Sequence, residues 1–163
     1  MTRLSYPSSS EELAAEPGGV SRDQVLRRLH DWRDRVHKLY DDIERALANS
    51  PYSFDRRGKH TSAEELPRRV GLLASEEPEI DILRIVRSDG TNAAMIIPKG
   101  LWVIGANGRV DLRILPLIGS SEIYMLVDQS SPLSGKSEWT RIPIGSPFDR
   151  EPFDPSWLAS KLN

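Results

Sequence analysis

Residues 80–115, IDILRIVRSDGTNAAMIIPKGLWVIGANGRVDLRIL, decide the fold class. The run is dense in Ile, Val and Leu, and the dipeptides Asp89-Gly90 and Asn107-Gly108 interrupt it. β-Branched side chains suit a pleated surface, and Asx-Gly supplies the positive φ angles of a two-residue hairpin turn. The stretch therefore predicts strands at Ile80–Arg87, Ala93–Ile97, Leu101–Gly105 and Arg109–Leu115, with Pro98-Lys99-Gly100 as a corner. Downstream, Glu122–Asp128 and Glu138–Ile144 continue the pattern. The last strand is placed at an edge, because Pro143 has no amide hydrogen for a ladder.

Upstream the period changes. Val25, Leu29, Trp32, Val36, Leu39, Ile43 and Ala46 recur at spacings of three and four, an apolar seam widened by Leu26, Tyr40 and Leu47. Ser21 and Gln24 have the form of a capping box, Asp23 complements the helix dipole, and Asn49-Ser50-Pro51 stops the pattern. A helix over 21–48 would span roughly 40 Å. Oppositely charged pairs four apart, such as Asp31–Arg35 and Asp41–Arg45, line its polar side.

These signals define the domain plan. Residues 1–19, with Pro7, Ser8-Ser9-Ser10, Pro17 and Gly18-Gly19, read as a flexible tail. Residues 20–163 form one α+β domain: the long helix, a variable connection over 49–79, a β-rich part over 80–145 and a C-terminal segment over 146–163. In the connection, Thr61 and Glu64 make a second possible capping box, which Pro67 soon interrupts. In the last segment, Asp154-Pro155 starts a short helix. Helix and strands are segregated, so the expected fold is a long N-terminal helix packed on a curled antiparallel meander of about six strands, open or partly closed as a barrel.

Composition narrows the functional classes. The chain has 163 residues, 22 Lys+Arg against 24 Asp+Glu, and no cysteine. That excludes disulfides, thiolate metal sites and a cysteine nucleophile. The near-neutral balance argues against wholesale coating of nucleic acid. The longest apolar runs, Ala93–Ile97 and Ile114–Ile118, are far shorter than the ~20 residues of a membrane helix. No apolar leader follows Met1, so a cytoplasmic location and no membrane partner are expected.

A two-residue turn at Asn107-Gly108 would pair Gly105 with Val110, Val103 with Leu112 and Leu101 with Ile114 on one face. The other face would set Ile104 against Asp111 and Trp102 against Arg113, a cation–π pair worth ~0.5–1 kcal/mol when exposed. Trp102, Ile104 and Arg113 are thus candidates for a protein-binding face. By contrast, the Asp89-Gly90 hairpin is apolar on both faces, which supports the helix packing across one of them. A long helix would overhang strands of ~20 Å, so Leu26 and Leu29 at one end, or Ile43 and Leu47 at the other, become candidates for self-association.

Searches for reaction chemistry find little. His30, His37, Asp34 and Asp41 interleave on the helix, but a solvated ion-pair face explains them as well as a metal does. The 129–137 stretch QSSPLSGKS approaches a phosphate-binding loop, yet it lacks the first glycine and runs on into a strand. No cofactor or metal is implied. Between Ser21 and Arg69 twelve Lys+Arg face nine Asp+Glu, and Arg56, Arg57 and Lys59 follow Tyr52 and Phe54, a pattern suited to phosphate contact. The expected function is a protein-interaction module, an accessory subunit or a homodimer. A nucleic-acid-binding accessory using Arg56, Arg57 and Lys59 is the alternative. An enzyme or small-molecule sensor with a pocket in the curled sheet comes third.

Overall fold

The computed structural model describes residues 19–59 and 64–163. The expected tail, apart from Gly19, and Thr61 of the second capping box lie outside them. Helix α1 spans Arg22–Ala46, and both halves of its capping box form, Ser21 Oγ accepting from Gln24 N–H and Gln24 Oε1 from Ser21 N–H. Seven strands follow, β1 (Ser53–Asp55), β2 (Leu83–Val86), β3 (Asn92–Gly100), β4 (Arg109–Ile114), β5 (Glu122–Asp128), β6 (Trp139–Pro143) and β7 (Glu151–Pro152). Each pairs antiparallel with the next, and β1 does not pair with β7, so the meander stays open. Short helix α2 (Glu65–Arg69) lies in the connection, and α3 (Pro155–Leu162) closes the chain, with the Asp154 carboxylate accepting from Ser156 N–H. The fold is α+β.

One core fills the space between α1 and the inner face of the sheet. Val25, Leu29, Trp32, Val36, Leu39, Tyr40 and Ile43 meet Leu83, Ile85, Ala94, Ile96, Val110, Leu112 and Leu126. The Asp89-Gly90 hairpin pairs Leu83 with Ile96 and Ile85 with Ala94, then shifts at a bulge that sets Val86 against Asn92. Tyr40 anchors the helix by donating from its hydroxyl to the carbonyl of Asp81 at 2.7 Å.

Four sequence expectations are corrected. First, Asn107-Gly108 is not a hairpin turn and Leu101–Gly105 is not a strand. Instead β3 continues through Pro98, where a corner was expected, with a bulge between Pro98 and Gly100, and β3 itself pairs with β4: Ile96 with Leu112, Ile97 with Asp111, Met95 with Arg113. Residues 101–108 bulge out between them as a loop, which contains an isolated bridge between Val103 and Ala106. The physical reason lies in α1. A Cβ on Gly108 would come within 2.2 Å of the Trp32 ring, and φ there is +121°. Asn107 is buried, its Oδ1 accepting from Arg28 and its carbonyl from Arg35. The dipeptide is where the helix touches the sheet.

Second, the seam does not overhang. Leu29, Ile43 and Leu47 are buried and Leu26 is half-buried, because Leu72 and Ile80 of the connection and Leu158 of α3 join the same core. A comparison of helix length with strand length alone leaves those segments out. Third, β6 is not at the edge, since Thr140 and Arg141 pair with β7, short of Pro143. Fourth, the variable connection over 49–79 contains a strand, β1, and with β7 the meander expected to have about six strands has seven. Both edge strands are only two or three residues long, too short to carry a period.

Candidate functional site

Strand alternation assigns every side chain of the sheet to a face. On the outer face the registers line up Arg84, Met95, Arg113 and Ile123 across β2 to β5. Ile144 extends this row, its N–H donating to the carbonyl of Ile123 at 3.0 Å. A second row carries Ile97, Asp111, Met125 and Ile142. Met95, Ile97, Ile123 and Met125 are half-buried and lie outside the core that α1 closes. The long helix and α3 both serve the inner side, where Trp157 of α3 packs edge-on against Tyr124, and the Arg141 guanidinium lies 3.7 Å from its ring centroid. Among the described residues, the outer face is thus a Met/Ile surface with no helix packed over it. It continues into loops whose tips are bare: Ile118 is 93% exposed, Phe148 95% and Ile144 51%.

The outer face is also cationic. Arg84, Lys99, Arg109 and Arg113 share it with only Asp55 and Asp111. Asp111 is held by Arg109 at 2.8 Å and lies 3.9 Å from Lys99. Arg57 occupies Asp55, holding that carboxyl below its ordinary range. Arg113, between Met95 and Ile123, is exposed and forms no ion pair among the described residues.

Of the three residues expected on one sheet face, only Arg113 is in the sheet. Ile104 stands 99% exposed at the tip of the 101–108 loop. Trp102 is half-buried beside Glu64, whose carboxylate accepts from the N–H groups of Leu101 and Trp102 at 3.1 and 2.8 Å. Sequence reasoning missed Met95, Ile97, Ile123 and Met125. Alternation within β3 and β5 would have grouped Met95 with Ile97 and Ile123 with Met125, had β3 not been joined to the wrong partner.

The basic loop is occupied from within. Arg56 binds Asp41 and Glu44, both at 2.6 Å, and lies over the Tyr40 ring. Arg57 pairs with Asp55, and Lys59 with Glu79 at 3.1 Å. His37 and Asp81 face each other across α1 and the connection, and no cluster of three or more metal-ligating side chains occurs among the described residues. The 129–137 loop joins two strands, and the buried Asp128 closes its neck, Oδ1 accepting from Ser130 and Glu138 N–H at 2.9 Å. The other oxygen, Oδ2, receives Arg35 at 2.5 Å. That buried pair ties α1 to β5.

Surface grooves occur among the described residues. One of about 530 Å³, at the end of the sheet, is lined by Tyr52, Arg87, Leu117, Lys161 and Leu162 among others. Another, about 640 Å³, separates α1 from residues 135–139. Its acids, Asp31, Asp34, Asp42 and Glu138, are all at least partly exposed, and Arg35 and Lys38 already engage two of them. No helix of the described residues is long and apolar enough to cross a membrane. Comparison with protein-family models, with curated proteins and with solved structures returns no match, and the functional reading rests on this geometry alone.

Proposed function

We propose that the chain is a protein-interaction module whose contact surface is the outer face of the sheet. The observation that carries this reading is the double row of Met95, Ile97, Ile123 and Met125 around Arg113, without a covering helix among the described residues. An apolar sheet face left toward water is unfavourable by roughly 25 cal/mol per Å², and contiguous patches of this kind mark contact sites. Met adapts to varied surfaces, and Arg is enriched among the residues that dominate binding energy. The buried helix seam is unavailable for this role.

The test is photo-crosslinking in cells that make the protein. A photoreactive residue in place of Met125 should give a discrete adduct, whereas one in place of His30, on the exposed side of α1, should give none. An adduct of twice the chain's 18.4 kDa identifies a second copy, and any other mass identifies a different protein. Absence of adducts from positions 123 and 125 alike ends the reading.

A further inference from the structure

We infer that the partner segment seated on the outer face is acidic and apolar, and that Arg113 is the charged anchor that selects it. The inference rests on the interaction reading above and names its chemistry. The whole chain carries a net charge of −2, yet this one face sets four cations against two carboxylates. Both carboxylates already have cationic partners. Arg113 remains, aimed outward between two apolar side chains. A carboxylate from a partner would meet a planar guanidinium able to donate two hydrogen bonds, with Met95 and Ile123 excluding water beside it.

The same surface disfavours other occupants. Nucleic acid on a sheet needs aromatic side chains on which bases stack, and the outer rows contain Met, Ile, Val and Thr but no aromatic residue. Added strands at the edges are blunted, since β1 has three residues and β7 has two, one of them Pro152. The partner therefore lies across the face rather than extending the sheet.

Fluorescence anisotropy on the full chain tests the charge preference with three labelled probes: a short peptide of mixed Glu and Leu, its analogue with Lys for Glu, and an oligothymidylate. The Glu/Leu peptide should bind at least ~10-fold more tightly than the Lys/Leu peptide, and raising salt from ~0.05 to ~0.2 M should weaken it. Arg113→Glu, an exposed change that leaves the fold intact, should reverse the preference, and Arg113→Lys should restore only part of it. Equal binding of the two peptides, indifference to Arg113→Glu, or binding of none of the probes overturns the acidic partner. Tighter binding of the oligothymidylate overturns it in favour of nucleic acid. Adducts from position 125 would in each case still support a protein contact, so the two readings fail separately.

Discussion

The two faces of the sheet solve opposite problems. The inner face is closed by α1, and its polar side chains reach specific partners within the chain: Arg28 on Asn107, Arg35 on Asp128 and Asp31, Tyr40 on the Asp81 carbonyl, while among the described residues Arg35 Nη2 and Asn107 Nδ2 are buried without a hydrogen-bond partner. The outer face has rows of comparable length, but Met95, Ile97, Ile123 and Met125 are only half-buried there, beside the buried Val127 and Ile142, and its central cation, Arg113, forms no ion pair among the described residues. Burial that leaves polar groups unsatisfied is costly, so the polar side chains under α1 are paired with one another within the chain. The outer face has no such constraint.

That contrast is sharpest at Trp32, packed against Gly108 and 6.0 Å from the Trp139 ring centroid. Trp32→Ala should lower unfolding free energy by about 3–5 kcal/mol in urea titrations, as large aromatic deletions in cores do. Gly108→Ala should cost about 1–3 kcal/mol through overpacking and a positive φ, and part of that should vanish in the Trp32→Ala background. Independent, additive losses would break the claim that this glycine exists to admit the indole.

On the outer side the same experiment should give little. Met125→Ala removes a half-buried side chain, so about 1 kcal/mol is expected, near half the ~1.5–3 kcal/mol of full burial. A loss as large as that at Trp32 would show that the outer face is a second core, covered by part of this chain, and the proposed contact surface would fall with it.

Much of the inner side was legible in the sequence, and the outer side was not. The seam of α1, its capping box and the Asp154 cap depend on residues within a few positions of each other, and local periodicity reports them faithfully. Asn107-Gly108 failed because its role is long-range. The signal for a two-residue turn and the signal for a glycine that admits a distant indole are the same two letters. That error moved Trp102 and Ile104 onto a strand and separated Arg113 from its real neighbours, Met95 and Ile123. The pairing of Arg56 was hidden for a related reason: its carboxylate partners, Asp41 and Glu44, lie fifteen and twelve residues away on α1, so a cluster of cations in sequence is a set of internal ion pairs in the fold.

The smallest expected effect also belongs to the inner side, where α1 meets the connection. His37 Nε2 accepts the Asp81 N–H at 3.2 Å and lies 3.5 Å from that residue's carboxylate. An accepting Nε2 requires the neutral ring. Burial holds its pKa below the ordinary 6.5, Arg33 and Arg56 push the same way, and the carboxylates of Asp81 and Asp34 only partly oppose them. The unfolded chain therefore takes up a proton near pH 6.5 before the folded chain does. As pH falls below ~6.5 the unfolded state binds more protons and stability drops, levelling off only below the folded pKa. His37→Gln keeps an acceptor for the Asp81 amide but does not titrate. The stability of wild type relative to His37→Gln, from urea unfolding, should be constant above pH ~7 and decline as pH falls below ~6.5. A difference that holds steady as pH falls would mean that folding does not shift the ring's pKa, and one that grows would mean that the ring is charged in the folded protein and donates to Asp81 instead.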